Sequence, residues 1–133
     1  MNKEFLQRPQ GLEATKDLNP IKIEKTFGTK YDDGKFRFDL IPADALEEVA
    51  RIYTIGANKY GDRNWEKGLS YGRLFAAMMR HAWAWWKGER FDESSKFKDT
   101  PINHLASVIF CALALLHYDL NSGKFNEMDD RKT

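Results

Sequence analysis

The 133-residue sequence has one cysteine, a formal net charge of only +1, and no internal repeat or low-complexity tract. The lone thiol, Cys111, cannot close an internal disulfide and sits in an apolar run, which points to a reducing cytoplasm and a structural role for the sulfur. With 21 basic against 20 acidic side chains, no global field exists to draw in a nucleic-acid polymer. Long uninterrupted apolar segments are missing too. Lys3, Glu4, Arg8 and Glu13 interrupt any N-terminal secretory signal or membrane anchor. The most apolar stretch, residues 102–116, is punctuated by Asn103, His104 and Ser107 and falls short of the ~20 residues of a membrane span. What remains, 42% hydrophobic and 31% charged, is the composition of a globular single domain large enough to build a core without staples.

Turn and helix signals predict a helical domain over residues 30–120, between an N-terminal arm (1–29) and a polar C-terminal tail (121–133). The arm is broken by Pro9, Gly11, Pro20 and Gly28, yet Phe5, Leu6, Leu12, Ile21, Ile23 and Phe27 make it more apolar than a free tail needs. It is expected to lie extended across the domain or a partner subunit. Asp33-Gly34 marks a turn, after which Lys35, Arg37 and Asp39 alternate with Phe36 and Phe38 as in a short extended segment. Pro42 opens a first helix, residues 42–55, with Leu46, Val49, Ala50 and Tyr53 at core spacing and Gly56 as its stop. A glycine-rich loop follows over residues 56–68. A second helix covers residues 70–87 with Ser70 as cap, and a third covers 101–119 with Thr100 as cap and Pro101 in its first turn. The third is apolar nearly all round except for one narrow line, His104, Ser107 and Cys111, which must find a partner if buried. The apolar faces of helices two and three are wider than a short first helix can cover, so a homo-oligomer, dimer or tetramer, is expected. The tail from Asn121 is expected to fray.

Chemistry concentrates where the second helix runs out. On a continuing helix His81, Trp85, Gly88 and Asp92 share one side, with Glu89 close to Asp92. Glu89, Asp92 and Glu93 lie within five positions and repel one another unless water, a basic partner or a divalent cation offsets the charge; a solvated helix end accounts for them as well. Glu47 and Glu48 lie near the positive end of the first helix, which already gives acids a reason to be there, and Glu48 has an equal claim as a ligand. Lys35 and Arg37 could hold phosphate oxygens, although a solvated edge strand also carries such charges. In the 56–68 loop, Asn58 and Asn64 can bond base edges, Tyr60 and Trp65 can stack on a ring, and Lys59 and Arg63 can meet phosphate. The alternative is an ordered loop plugged into the core by Tyr60 and Trp65. His104 is either a hydrogen-bonded core histidine or a functional group facing Asp92, Glu93 and Asp99.

Several short blocks, Lys35 to Pro42, Gly56 to Gly61 with Asn64-Trp65, Arg80-His81, Gly88-Glu89 through Asp92-Glu93-Ser94, and His104, resemble in the same order the phage domain known as the dATP/dGTP diphosphohydrolase N-terminal domain. The resemblance spans about residues 30–119. It implies an all-α fold, a small helical bundle related to the MazG-like nucleoside triphosphate pyrophosphohydrolases. It also implies a phage or prophage source, action in the host cytoplasm, and a role in the deoxynucleotide pool. The implied enzyme uses Mg²⁺, with Mn²⁺ as the alternative ion, to hydrolyse a purine deoxynucleoside triphosphate such as dATP or dGTP to the monophosphate and pyrophosphate. Metal ligands are then expected among Glu48, Glu89, Asp92 and Glu93, with His81, Glu89 and Asp92 as catalytic groups. Lys35, Arg37, Lys59 and Arg80 are expected on phosphate, and Tyr60, Asn64, Trp65 and His104 elsewhere on the nucleotide. One departure is plain. MazG-like enzymes carry Glu-Glu-x-x-Glu and, on the next helix, Glu-x-x-Asp, where this chain reads Glu47-Glu48-Val49-Ala50-Arg51 and His104-Leu105-Ala106-Ser107. Either Glu89, Asp92 and Glu93 hold the metal instead, which is the expectation, or the chain binds or sequesters nucleotides without hydrolysing them.

Overall fold

A computed structural model describes residues 27–132; the expected arm lies outside them apart from its last three residues. The chain divides after Leu40 into two units, Met1–Leu40 and Ile41–Thr133, each described by itself. In the first, Asp33-Gly34 makes the expected turn, with Gly34 at φ 81° and the Lys35 N–H donating to the Asp32 carbonyl at 3.0 Å. The extended alternation expected after it does not continue, because Phe38–Leu40 is a 3-10 turn. The Arg37 guanidinium forks onto the Asp39 carboxylate at 2.8 and 2.7 Å, and the Phe36 and Phe38 rings meet edge to face at 6.2 Å.

The second unit runs α1 (Ala43–Tyr60), α2 (Tyr71–Trp86), β1 (Phe91–Phe97), β2 (Thr100–Asn103), α3 (His104–Leu120) and a short α4 (Ser122–Phe125). It is mostly helical, but the two strands correct the all-α expectation. β1 and β2 form an antiparallel hairpin in which Asp92 pairs with Ile102 and Phe97 with Thr100, with a bulge between Asp92 and Lys96. Its turn, Lys98-Asp99, has both residues at positive φ, 50° and 66°, the two-residue geometry that matches strand twist. The third helix therefore starts at His104 rather than 101. Pro101 lies in β2, and Asn103 caps the helix by accepting the Leu105 N–H at 2.8 Å. The first helix is longer than expected. Gly56 lies inside it, and it ends at Gly61, whose N–H still closes onto the Ala57 carbonyl and whose positive φ of 94° is a conformation glycine alone adopts readily.

α2 and α3 pack antiparallel, the start of α2 meeting the end of α3 through Tyr71 and Tyr118, whose rings stack at 5.8 Å. Around them Leu74, Cys111, Ala114 and Phe125 close one core cluster, and Val49, Ile102 and Ala106 join α1 and β2 to α3 in a second. Tyr118 and Ile102 have no exposure at all, and burying each such side chain contributes roughly 1.5–3 kcal/mol. Burial also raises the pKa values of the Cys111 thiol and the Tyr118 phenol, which keeps both neutral. On α1, Val49 is buried as expected but Leu46 faces out. The described C-terminal residues are tied back to this unit. Phe125 enters the core, and the Asp130 carboxylate accepts the Ser70 hydroxyl at 2.6 Å and the Gly72 N–H at 2.7 Å. Among the described residues, no single helix is long and apolar enough to cross a membrane; α3 and the helical turns after it meet at a bend of 102°.

Candidate functional site

The site is built by the way α2 ends. Gly88, at φ 105°, donates its N–H to the Trp85 carbonyl at 3.0 Å, and the Glu89 N–H reaches back to Ala84 at 2.9 Å. This double closure needs a left-handed residue just past the helix, where a side chain would be strained. The chain thus leaves the helix direction at once and does not continue it to Asp92. Glu89 and Arg90 are brought against the start of α3, where the His104 N–H donates to the Arg90 carbonyl at 3.0 Å.

Three side chains from three elements converge there. His81, on the last turns of α2, is half-buried, and His104, the first residue of α3, is 7% exposed. Their Nδ1 atoms stand 2.8 Å apart. One must donate and the other accept, so at least one of the two rings is neutral. Burial lowers the pKa of His81, the charge of His104 adds to that, and Asp92 pulls weakly the other way. Asp92, on β1 beside the bulge, is fixed by Ser94, whose N–H at 3.0 Å and hydroxyl at 2.6 Å both donate to Oδ1. Burial alone would raise its pKa; the Ser94 bonds and the two histidines outweigh it, and the carboxyl stays below its ordinary range. One donor atom from each of His81, Asp92 and His104 lies within 4.8 Å of the other two.

Other expected groups lie around or away from this cluster. Glu89, with a 63% exposed side chain, has Oε2 3.9 Å from His104 Nε2, and Arg80 is exposed on α2 next to His81. Glu93 pairs with Lys96 at 3.7 Å and Glu48 with Arg51 at 3.3 Å; neither belongs to the group. Of the four carboxylates expected as metal ligands, Asp92 alone is in it, and the two histidines supply the other donors. Such a set suits Mg²⁺ poorly, since that ion takes oxygen ligands and keeps its waters, whereas imidazole favours transition metals.

A second feature is a cleft of about 780 Å³ between the end of α1, the 3-10 turn Asn64–Lys67 and α3. Lys59, Tyr60, Asn64 and Trp65, four of the residues expected on the nucleotide, line it together with Tyr53 and Phe110. Tyr60 is 64% exposed and free to take a flat ligand. Trp65 is held more tightly. Its ring meets Tyr53 and His117 edge to face at 6.4 and 5.1 Å, and its carbonyl accepts the Tyr118 hydroxyl at 2.6 Å, so it is wall as well as surface. Lys35 and Arg37 belong to the segment before Ile41 and line a small polar cleft of their own. Sequence reasoning missed Ser94 and Asn103, whose signal was local: a hydroxyl two residues after an aspartate, and an asparagine directly before an apolar helix.

The family described as dATP/dGTP diphosphohydrolase, N-terminal, matches residues 25–131. A dATP/dGTP diphosphohydrolase of Salmonella phage PMBT28 is 39% identical over 79 residues, which cover 59% of this chain and 25% of that protein. The chain thus spans about a quarter of the length of that curated relative. No solved structure matches. With the family matched over most of its length, the chain belongs to the dATP/dGTP diphosphohydrolase N-terminal family.

Proposed function

We propose that this chain hydrolyses purine deoxynucleoside triphosphates such as dATP or dGTP to the monophosphate and pyrophosphate, within phage nucleotide-pool metabolism in the host cytoplasm. The observation that carries the reading is the meeting of His81, Asp92 and His104 in a member of this family. A divalent cation held by these three would neutralise phosphate charge and acidify a water. The chain's own groups divide the remaining work. Tyr60 stacks on the base at the mouth of the cleft, with Asn64 and Trp65 as its walls and Lys59 on phosphate. Arg80, beside His81, meets the charge that develops on the phosphoryl oxygens. As water adds to phosphorus and the bridging P–O bond breaks, the exposed Glu89 carboxylate takes the water's proton, a general-base role worth ~10²–10⁴ in rate.

The test is a turnover assay over the four deoxynucleoside triphosphates with divalent ions supplied and the products separated. Purine substrates are expected to give monophosphate and pyrophosphate, and Glu89→Gln to lower kcat by ~10²-fold or more with the circular dichroism spectrum unchanged. Binding without turnover in the wild type, or a Glu89→Gln enzyme as fast as wild type, would refute the assignment.

A further inference from the structure

We propose that His81, Asp92 and His104 form a binding site for a first-row transition-metal ion of the Mn²⁺, Fe²⁺, Co²⁺ or Zn²⁺ class, and that the site discriminates against Mg²⁺. The donors come from α2, β1 and α3, so the fold and not one flexible loop brings them together. Two imidazoles and one carboxylate are the donors that non-haem iron and catalytic zinc sites use, with open positions left for water or substrate oxygens. Two ligands at right angles, each ~2.1 Å from a metal, are ~3 Å apart, and the two Nδ1 atoms already stand at 2.8 Å. Without an ion that spacing is held by one hydrogen bond; with an ion both lone pairs turn to the same centre.

A merely structural histidine pair would explain the 2.8 Å contact but not the third member. Asp92 is half-buried and tied by two bonds from Ser94 to a single oxygen, an outer-sphere support of the kind that orients ligating carboxylates. Of the other acids that would suit Mg²⁺, Glu48 and Glu93 are each paired with a cation of their own, and Glu89 faces His104 Nε2, the nitrogen turned away from His81. The affinity order of such sites rises from Mn²⁺ toward Zn²⁺, and an oxygen-seeking ion gains little from two nitrogens.

This inference deepens the hydrolase reading at the same site, and direct binding measurements separate the two. Chelator-treated full chain is titrated with Co²⁺ alone, following its visible ligand-field bands, then with Mg²⁺ as competitor; Mn²⁺ is examined by electron spin-echo spectroscopy for coupling to histidine nitrogen. One Co²⁺ per chain, nitrogen coupling, and no displacement by a ~100-fold excess of Mg²⁺ are expected. His81→Ala should abolish the bands. Ser94→Ala, which leaves all three ligands in place, should weaken binding by ~10–100-fold. Because His104 is a core position, folding of His81→Ala is checked by circular dichroism, and Ser94→Ala gives the independent reading if that variant unfolds. Equal competition by Mg²⁺, absence of nitrogen coupling, or wild-type binding in both variants would overturn the site. Tight Co²⁺ binding without triphosphate turnover would uphold it while removing the hydrolase reading.

Discussion

Replacing Tyr118 by Phe removes one oxygen atom from a fully buried side chain, and the structure sets what that oxygen does. It donates at 2.6 Å to the Trp65 carbonyl, tying the 3-10 turn that walls the cleft to the middle of the core. The ring contacts with Tyr71 at 5.8 Å and Phe125 at 4.6 Å survive the change, so no cavity cost enters. What is lost is the bond to the Trp65 carbonyl, left facing the vacated position, together with the Leu69 backbone hydrogen bond to the phenol, about 1–2 kcal/mol. For a chain of this size each kcal/mol lowers Tm by roughly 3–5 °C, so the variant should melt about 3–10 °C below wild type. Tyr60→Phe, which removes the same atom from an exposed ring, should melt within a degree of wild type. The loosened turn should also raise KM for the nucleotide in Tyr118→Phe more than it lowers kcat, since the binding wall moves while the His81 cluster does not. Calorimetry and initial-rate kinetics on the two variants check both parts. Equal Tm for Tyr118→Phe and wild type would refute the view that this bond holds the turn, and an unchanged KM would refute its link to the cleft.

Three further outcomes follow from other contacts. Asp130 accepts from Ser70 and Gly72, and these bonds hold its pKa below the ordinary value; its contribution to stability is present above ~pH 4 and lost as pH falls through the lower folded value. Asp130→Asn should therefore flatten the acid side of the Tm-against-pH curve, and parallel curves for variant and wild type would contradict the assignment. Asp99 sits in the hairpin turn at φ 66° and caps no helix, so Asp99→Gly should raise stability by about 0.5–1 kcal/mol in denaturant unfolding, where a capping role would lower it. Phe75, Met79, Trp83 and Trp86 on α2, and Leu105, Ile109, Leu113, Leu116 and Leu120 on α3, are all exposed at helical spacing. Stripes this long fit a second copy of the chain, so light scattering should give a multiple of the 15.5 kDa chain mass, and Trp86→Lys with Leu116→Lys should return it to one chain; a monomeric wild type would contradict this.

The parts of the fold that one local signal determines were legible. Ser70 does cap α2, its hydroxyl accepting the Arg73 N–H, and the His104, Ser107, Cys111 line is buried, with His81 as the partner of His104. The hairpin was not legible, because Phe91–Phe97 has no alternation of apolar and polar residues to mark a strand and Lys98-Asp99 lacks the usual glycine. Pro101 and Thr100 read as a helix start because proline favours the first helical turn, yet they fit an edge strand equally, and only tertiary pairing decided between them. Gly56 and Gly61 look alike in sequence; the left-handed φ that makes Gly61 the stop is a property of the folded chain. The wheel placed His81 beside Asp92 by extending a helix that ends at Trp86. The neighbours were right and the backbone was wrong, because Gly88 turns the chain and the hairpin returns Asp92 to the same place.

α3 is what makes cleft and cluster one molecule-sized problem. His104 is its first residue and Phe110, on the cleft wall, follows six residues later, about 9 Å along the axis at 1.5 Å per residue. Those two residues lie on different sides of the helix, since six steps of 100° leave them 120° apart. The same helix also supplies Cys111, Ala114 and Tyr118 to the core. Substitutions within it therefore differ in reach: one at Tyr118 acts on the cleft wall through Trp65, and one at His104 acts on the cluster through His81. Tyr60 on α1 and Glu89 after α2 are exposed and outside both core clusters. Under the proposed function, substitutions at these two positions test binding and chemistry separately while both core clusters stay intact.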